Sequence, residues 1–168
     1  KLLPETGGPV VGRANLNPAG SGGSYAANII DVEVDPETGK VDILKITAFQ
    51  DAGTAIYPVH VEGQIQGGTA QGIGWALNEE YFMGSDGSVV NTSLLDYRMP
   101  TSFDLPMINT EIIEVPNPNH PYGVRGVGEA NIVPPLAALS NAILDATGVQ
   151  IRNLPMNPQN VIFSLKSN

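Results

Sequence analysis

The segment GVRGVGEANIVPP, residues 123–135, sets one carboxylate, Glu129, among three glycines, Gly123, Gly126 and Gly128. Glycine permits positive φ, or lets the backbone approach a ligand where a Cβ would clash. A carboxylate with few charged neighbours loses solvation when buried, and can then serve as a base near neutral pH. A plainer reading stays open beside this one. Glu129 lies just upstream of Pro134 and Pro135, which read as a helix start, and acids are common there because the helix dipole favours them.

A second constellation lies in VEGQIQGGTAQGIGWALNEEY, residues 61–81, which reads as a helix ending at Gly84. Gln64 and Gln71 are seven residues apart and share a face with Gly68. An amide offers both a donor and an acceptor, which suits the edge of a heterocycle or phosphate as well as a backbone strand. The alternative is a glycine-lined helix packed tightly against a neighbour, with the glutamines at its margin. Gly63, Gly67, Gly68, Gly72 and Gly74 each cost about 0.5–1 kcal/mol in a helix interior, so about 3–5 kcal/mol must be recovered by packing or ligand contacts. Neither His60 nor His120 is assigned to a metal, because His60-x-Glu62 lacks a third ligand at helical spacing.

The elements that must position these groups follow from pattern. Ile30, Val32 and Val34 alternate with acids, Pro36 to Gly39 supply turn chemistry, and Val41 to Asp51 resumes as a return strand, giving a hairpin. Apolar residues on both parities of the return strand imply that both sheet faces are covered. Short strands are expected at Val89–Val90 and from Asn109 to Val115. Pro134 to Thr147, with prolines at its start and Gly148 after it, reads as an amphipathic helix whose role is to hold the preceding loop. A short helix or strand follows from Asn157 to Leu165. Between them, Tyr97 is expected to pack and Arg98 to form a surface ion pair.

Composition sets outer limits. With 168 residues, 8 basic and 17 acidic, the chain carries a formal charge of -9. That balance disfavours a nucleic-acid partner, because phosphate contacts need a basic patch. The chain contains no cysteine, which excludes disulfides, iron–sulfur ligation and thiolate zinc sites within it. No apolar run is long enough to span a bilayer, and a cytoplasmic location is expected. Residues 1–23 read as an extended lead-in, and the lack of an initiator Met is taken to mean that the chain begins inside a longer precursor or after processing.

GVRGVGE followed by ANIVPPLAALSNAILDATG resembles the C-terminal end of the large, molybdenum-binding subunit of the xanthine oxidase family of molybdenum hydroxylases. GQIQGGTAQGIG, residues 63–74, is similar to that family's cofactor-facing G-Q-x-x-G-x-x-x-Q-G-x-G segment. The resemblance implies an α+β fold in which residues 24–168 form a C-terminal portion of the molybdopterin-binding domain. It implies Glu129 as catalytic base, with Gln64, Gln71, Gly67, Gly68, Gly126 and Gly128 along a molybdenum pyranopterin cofactor. It also implies oxidative hydroxylation of an aldehyde or N-heterocycle, with iron–sulfur and flavin (FAD) centres on partner subunits or domains. The family's F-G-G-type loop is missing from the sequence, so half of the cofactor cage is expected from the remainder of the subunit. Two other readings remain: an aerobic carbon monoxide dehydrogenase portion, or a noncatalytic assembly domain of the same fold.

Overall fold

A computed structural model describes residues 22–167 together with 7–8, 11–15, 17 and 20. The proposed lead-in, residues 1–23, therefore falls largely outside the described residues. The fold is α+β: strands β1 (Tyr25–Val34), β2 (Val41–Asp51) and β3 (Ile108–Ile113), with helices α1 (Pro58–Leu77), α2 (Pro134–Thr147) and α3 (Pro158–Lys166).

The hairpin forms as the alternation predicts, with β1 antiparallel to β2 from Tyr25 opposite Asp51 to Val34 opposite Val41. Asp35 holds its turn together: its carboxylate accepts from the Thr38 hydroxyl at 2.6 Å and the Glu37 N–H at 2.8 Å. These bonds, the Thr38 hydroxyl first, hold the Asp35 carboxyl below its ordinary range. β3 lies parallel to β2, giving the order β1-β2-β3. It occupies most of the predicted strand, whereas the expected strand at Val89–Val90 reduces to one bridge between Met83 and Val89.

Helices α1 and α2 lie together against one face of this sheet, and between them sits the core. Ile46 and Ala48 of β2 meet Ile65, Ile73 and Ala76 of α1 and Leu139 and Ile143 of α2, all of them buried. The expectation of two covered faces does not hold within this chain. Ile29 is 60% and Leu44 58% exposed, because no described element packs on the other side and a bulge after Asp31 leaves Leu44 out of the pairing.

α1 starts at Pro58 and ends at Leu77, earlier at both ends than the sequence indicates. Its end is set by tertiary structure: the N–H groups of Asn78 and Glu79 both turn back to the Gly74 carbonyl, and the Met156 N–H takes the Ala76 carbonyl at 2.6 Å. α2 matches its predicted bounds, and Gly148 ends it at φ 74°. Leu139 and Ile143 are buried and Leu136 half-buried, but Ala146, on the same predicted stripe, is exposed. The tail resolves to a helix, α3, capped by the Asn157 side chain accepting from the Asn160 N–H at 2.9 Å.

The glycines of α1 divide sharply. A Cβ on Gly72 would overlap the Ile132 carbonyl oxygen and lie 2.9 Å from Pro135 Cγ, whereas one on Gly63 would meet nothing within 4 Å. Packing thus recovers the helical cost at Gly72 and not at Gly63. Gly72→Ala is expected to destabilise the fold by about 1–3 kcal/mol through overpacking, and Gly63→Ala to stabilise it by about 0.5–1 kcal/mol. Urea unfolding of the two variants measures both.

Candidate functional site

The 123–131 segment crosses the end of β2 and is held there by two adjacent residues, Gln50 and Asp51. Asp51 is 9% exposed, and its Oδ1 accepts from the N–H groups of Gly53 at 2.9 Å and Val115 at 3.1 Å. Its Oδ2 faces Arg125 Nε at 3.1 Å. The Arg125 Nε also donates to the Val115 carbonyl at 3.0 Å and its Nη1 to the Gly23 carbonyl at 2.6 Å. A buried carboxylate stays charged only where such partners replace water. The Arg125 main-chain N–H donates to the Ala52 carbonyl at 3.0 Å, so this residue is fixed at both ends.

Gln50 is fully buried, and its Nε2 donates to the Gly126 carbonyl at 2.9 Å and to Ser24 Oγ at 3.2 Å. Its Oε1 accepts from Asn131 Nδ2, and Asn131 is itself fully buried. Glu129 lies between these anchors, immediately before a single 3₁₀ turn, Ala130–Ile132, whose Ile132 N–H donates to the Glu129 carbonyl at 3.2 Å. Sequence reasoning passed over Gln50, Asp51, Arg125 and Asn131. The one available signal was Arg125, the single cation of the Gly123–Glu129 loop.

The predicted residues are only partly gathered. A Cβ on Gly128 would lie 3.7 Å from Gln64 Oε1, so α1 and the glutamate loop meet although they are distant in sequence. Gly68 is buried on the same contact: its Cβ would lie 3.4 Å from Asn131 Cβ and 3.5 Å from the Gly128 carbonyl oxygen. Gly67 turns elsewhere, into a hollow of about 570 Å³ with Gly63, Leu105 and Met107. Gln71 is exposed further along α1.

Two questions that the sequence left open are answered here. Of the three loop glycines only Gly123 has positive φ, at 71°; Gly126 and Gly128 do not, since the chain there runs between anchors without reversing. Glu129 is exposed, not buried, because no described element passes over the loop. Among the described residues its carboxylate, the Gln64 amide and the main-chain N–H groups of 126–129 have no hydrogen-bond partner. Gly126, Gly128, Glu129 and Gln64 are all exposed, so unpartnered main-chain groups, one amide and one carboxylate lie near one another at an open surface. Gly63 and Gly67 open onto the separate hollow beside Leu105 and Met107, whereas Gly126, equally bare with nothing within 4 Å of a built Cβ, leaves room for close approach at this surface. That surface fits a flat group rich in acceptors and donors, such as a pterin.

Of the other polar candidates, Tyr97 and Arg98 lie away from this site, whereas His60 lines a hollow of about 220 Å³ with Gln64, Arg125 and Val127. Tyr97 packs on Tyr81 with ring centroids 5.4 Å apart and donates to Glu79 Oε2 at 2.5 Å. Arg98 is exposed, and among the described residues it has no ion-pair partner, contrary to expectation. His60 stacks on Tyr57, and His120 Nδ1 contacts the Pro121 carbonyl. Among the described residues no three His, Cys, Asp or Glu side chains are grouped to hold a metal ion, and no helix is long and apolar enough to cross a membrane. A hollow of about 670 Å³ lies at the far end of α1 beside Leu77, Phe82, Asn91 and Asn157.

A family model described as the molybdopterin cofactor-binding domain matches residues 11–106, more than half of the chain. The chain belongs to the molybdopterin cofactor-binding domain family. The match includes Gln64 and ends before Glu129. The xanthine dehydrogenase molybdenum-binding subunit of Escherichia coli O157:H7 is 38% identical over 157 residues, 93% of this chain and 21% of that protein. The aldehyde oxidoreductase of Desulfovibrio gigas superposes with a TM-score of 0.78 at 34% identity, over 85% of this chain and 15% of that one. The CO dehydrogenase of Oligotropha carboxidovorans does so with a TM-score of 0.77 at 28% identity, over 86% and 18%. The chain thus spans about a fifth of the length of the curated relatives it matches.

The anchors can be tested by stability. Asp51→Ala strips Arg125 of its carboxylate and orphans two main-chain N–H groups. We expect a loss of about 3–5 kcal/mol, read by urea unfolding. At the Tyr97 contact, hydrogen bonding to Glu79 pushes the phenol up from 10.0 to about 12. A raised pKa means that the folded state favours the protonated phenol, so this contribution is complete below pH 10 and lost as pH rises toward about 12. The stability gap between the native chain and Tyr97→Phe should therefore hold steady to pH 10 and close above it.

Proposed function

We propose that this chain is a portion of a molybdenum hydroxylase, in which Glu129 is the base for oxidative hydroxylation of an aldehyde or N-heterocycle. The observation that carries the reading is the meeting of Gln64 with the Gly126–Glu129 loop, where unpaired donors and a lone carboxylate line one open surface. The relatives support it: one is named a xanthine dehydrogenase molybdenum-binding subunit and another an aldehyde oxidoreductase.

The overall change converts R–H and water to R–OH, releasing two electrons and two protons. The molybdenum pyranopterin supplies the two-electron oxidation when bound. Glu129 accepts a proton from the attacking oxygen, which needs a carboxylate held close to that oxygen and free of internal partners. Gln64 gives the pterin edge a donor and an acceptor, and the N–H groups of 126–128 add donors along it. Gly68 and Gly128 keep α1 and the loop close, Gly126 leaves the surface bare, and Gln71 extends it.

In this reading the exposed Glu129 is covered by the remainder of the subunit, which also supplies the other cofactor contacts. Iron–sulfur and flavin centres on partner subunits or domains take the electrons away.

The test uses the complete enzyme. Glu129→Gln should cut turnover by about 10²–10⁴-fold while molybdenum per subunit, read by elemental mass spectrometry, stays at the native level. Near-native turnover would refute the base assignment. A native enzyme with no molybdenum would instead favour a noncatalytic assembly domain.

A further inference from the structure

The inner face of β2 is apolar at Ile46 and Ala48, then carries Gln50 at the next inward position, fully buried. An apolar side chain there would extend the core without the desolvation penalty of an amide. All of the hydrogen bonds of this amide leave the sheet. Nε2 reaches the Gly126 carbonyl at 2.9 Å and Ser24 Oγ at 3.2 Å, and Oε1 takes the Asn131 amide. Gly126 and Asn131 are the two ends of the short segment that carries Glu129.

This geometry has a directional result. A peptide unit is planar and trans, so its C=O and N–H point to opposite sides. Drawing the Gly126 carbonyl inward onto Gln50 turns the Val127 N–H outward, to the open side. Tying Asn131 to the same amide sets where the 3₁₀ turn begins, and with it the start of the Glu129 side chain. Asp51 and Arg125 fix the path of the chain into the loop; Gln50 fixes the loop's rotation.

We propose that Gln50 is a positioning residue for Glu129, aiming both the carboxylate and the outward Val127 N–H by clamping Gly126 and Asn131 together. The proposal rests on Glu129 being the base. Gln50 itself touches no ligand.

The experiment uses the complete holoenzyme and two variants. Gln50→Met keeps the volume and suits an apolar core, while Gln50→Glu keeps an acceptor for Asn131 and loses the donor to Gly126; whichever folds serves the test. The variant should lower kcat by about 10- to 100-fold, with KM within about twofold and molybdenum content unchanged. Placed in a Glu129→Gln background, it should lower the residual single-turnover rate by less than about twofold, because there is no longer a base to misplace. As a readout independent of activity, hydrogen exchange across residues 126–133 should speed up while that of the β1–β2 hairpin does not. An equal fold-loss in the native and the Glu129→Gln backgrounds, an unchanged kcat, or a loss that tracks missing molybdenum would each overturn the positioning role. Full turnover by Glu129→Gln alone would remove the base assignment, and this proposal with it; an inactive Glu129→Gln with additive Gln50 effects would remove only this one.

Discussion

A buried carboxylate must be matched donor for donor, and Asp51 meets that demand by drawing distant stretches of chain together. Its two oxygens are satisfied by Gly53, Val115 and Arg125, and Arg125 in turn reaches Gly23. These groups come from the end of the hairpin, the turn that follows it, the exit of β3, the glutamate loop and the residues leading into β1. Their joint arrangement compensates the buried charge. The position of the loop over the sheet end follows from that constraint before any ligand is considered.

The second constraint is steric. α1 and the 3₁₀ turn after Glu129 approach so closely that Gly72 faces the Ile132 carbonyl directly. Side chains usually hold a helix about 8–10 Å from its neighbours, and small residues allow less. Gly68 and Gly72 are buried by such contacts, Gly74 is buried instead against Pro100 and Glu79, and Gly63 and Gly67 face open space. Gly68 and Gly72 thus make a packed face toward the glutamate loop, Gly63 and Gly67 a vacant one, and Gln64 stands between the two.

Much of this was legible in the sequence where the determinants are local. Alternation and a Pro-Glu-Thr-Gly turn define the hairpin, and paired prolines with a following glycine bound α2 closely. The bounds of α1 were less legible, because its end depends on Met156 capturing a carbonyl from far along the chain. The candidate site was read through motif resemblance, and its supports were not read at all. Gln50, Asp51 and Asn131 are residue types that ordinarily face solvent, and only the fold shows them buried, Gln50 against Asn131 and Asp51 against Arg125. Whether Glu129 is buried was not legible in the sequence, and it is exposed because nothing described within this chain covers it. The two-sided covering expected of β2 fails for the same reason.

The span of the Gln50 clamp has a kinetic consequence. Its bonds to Gly126 and Asn131 join positions 76 and 81 residues apart, whereas the hairpin turn closes across the few residues from Asp35 to Lys40. Chain entropy makes closure of the longer loop costlier by about 2 kcal/mol. The hairpin and α2 can gather native contacts locally, but the glutamate loop gains its own only after β3 and α1 have shortened the path between the ends of that loop. The surface carrying Glu129 is thus assembled late, on a scaffold already in place.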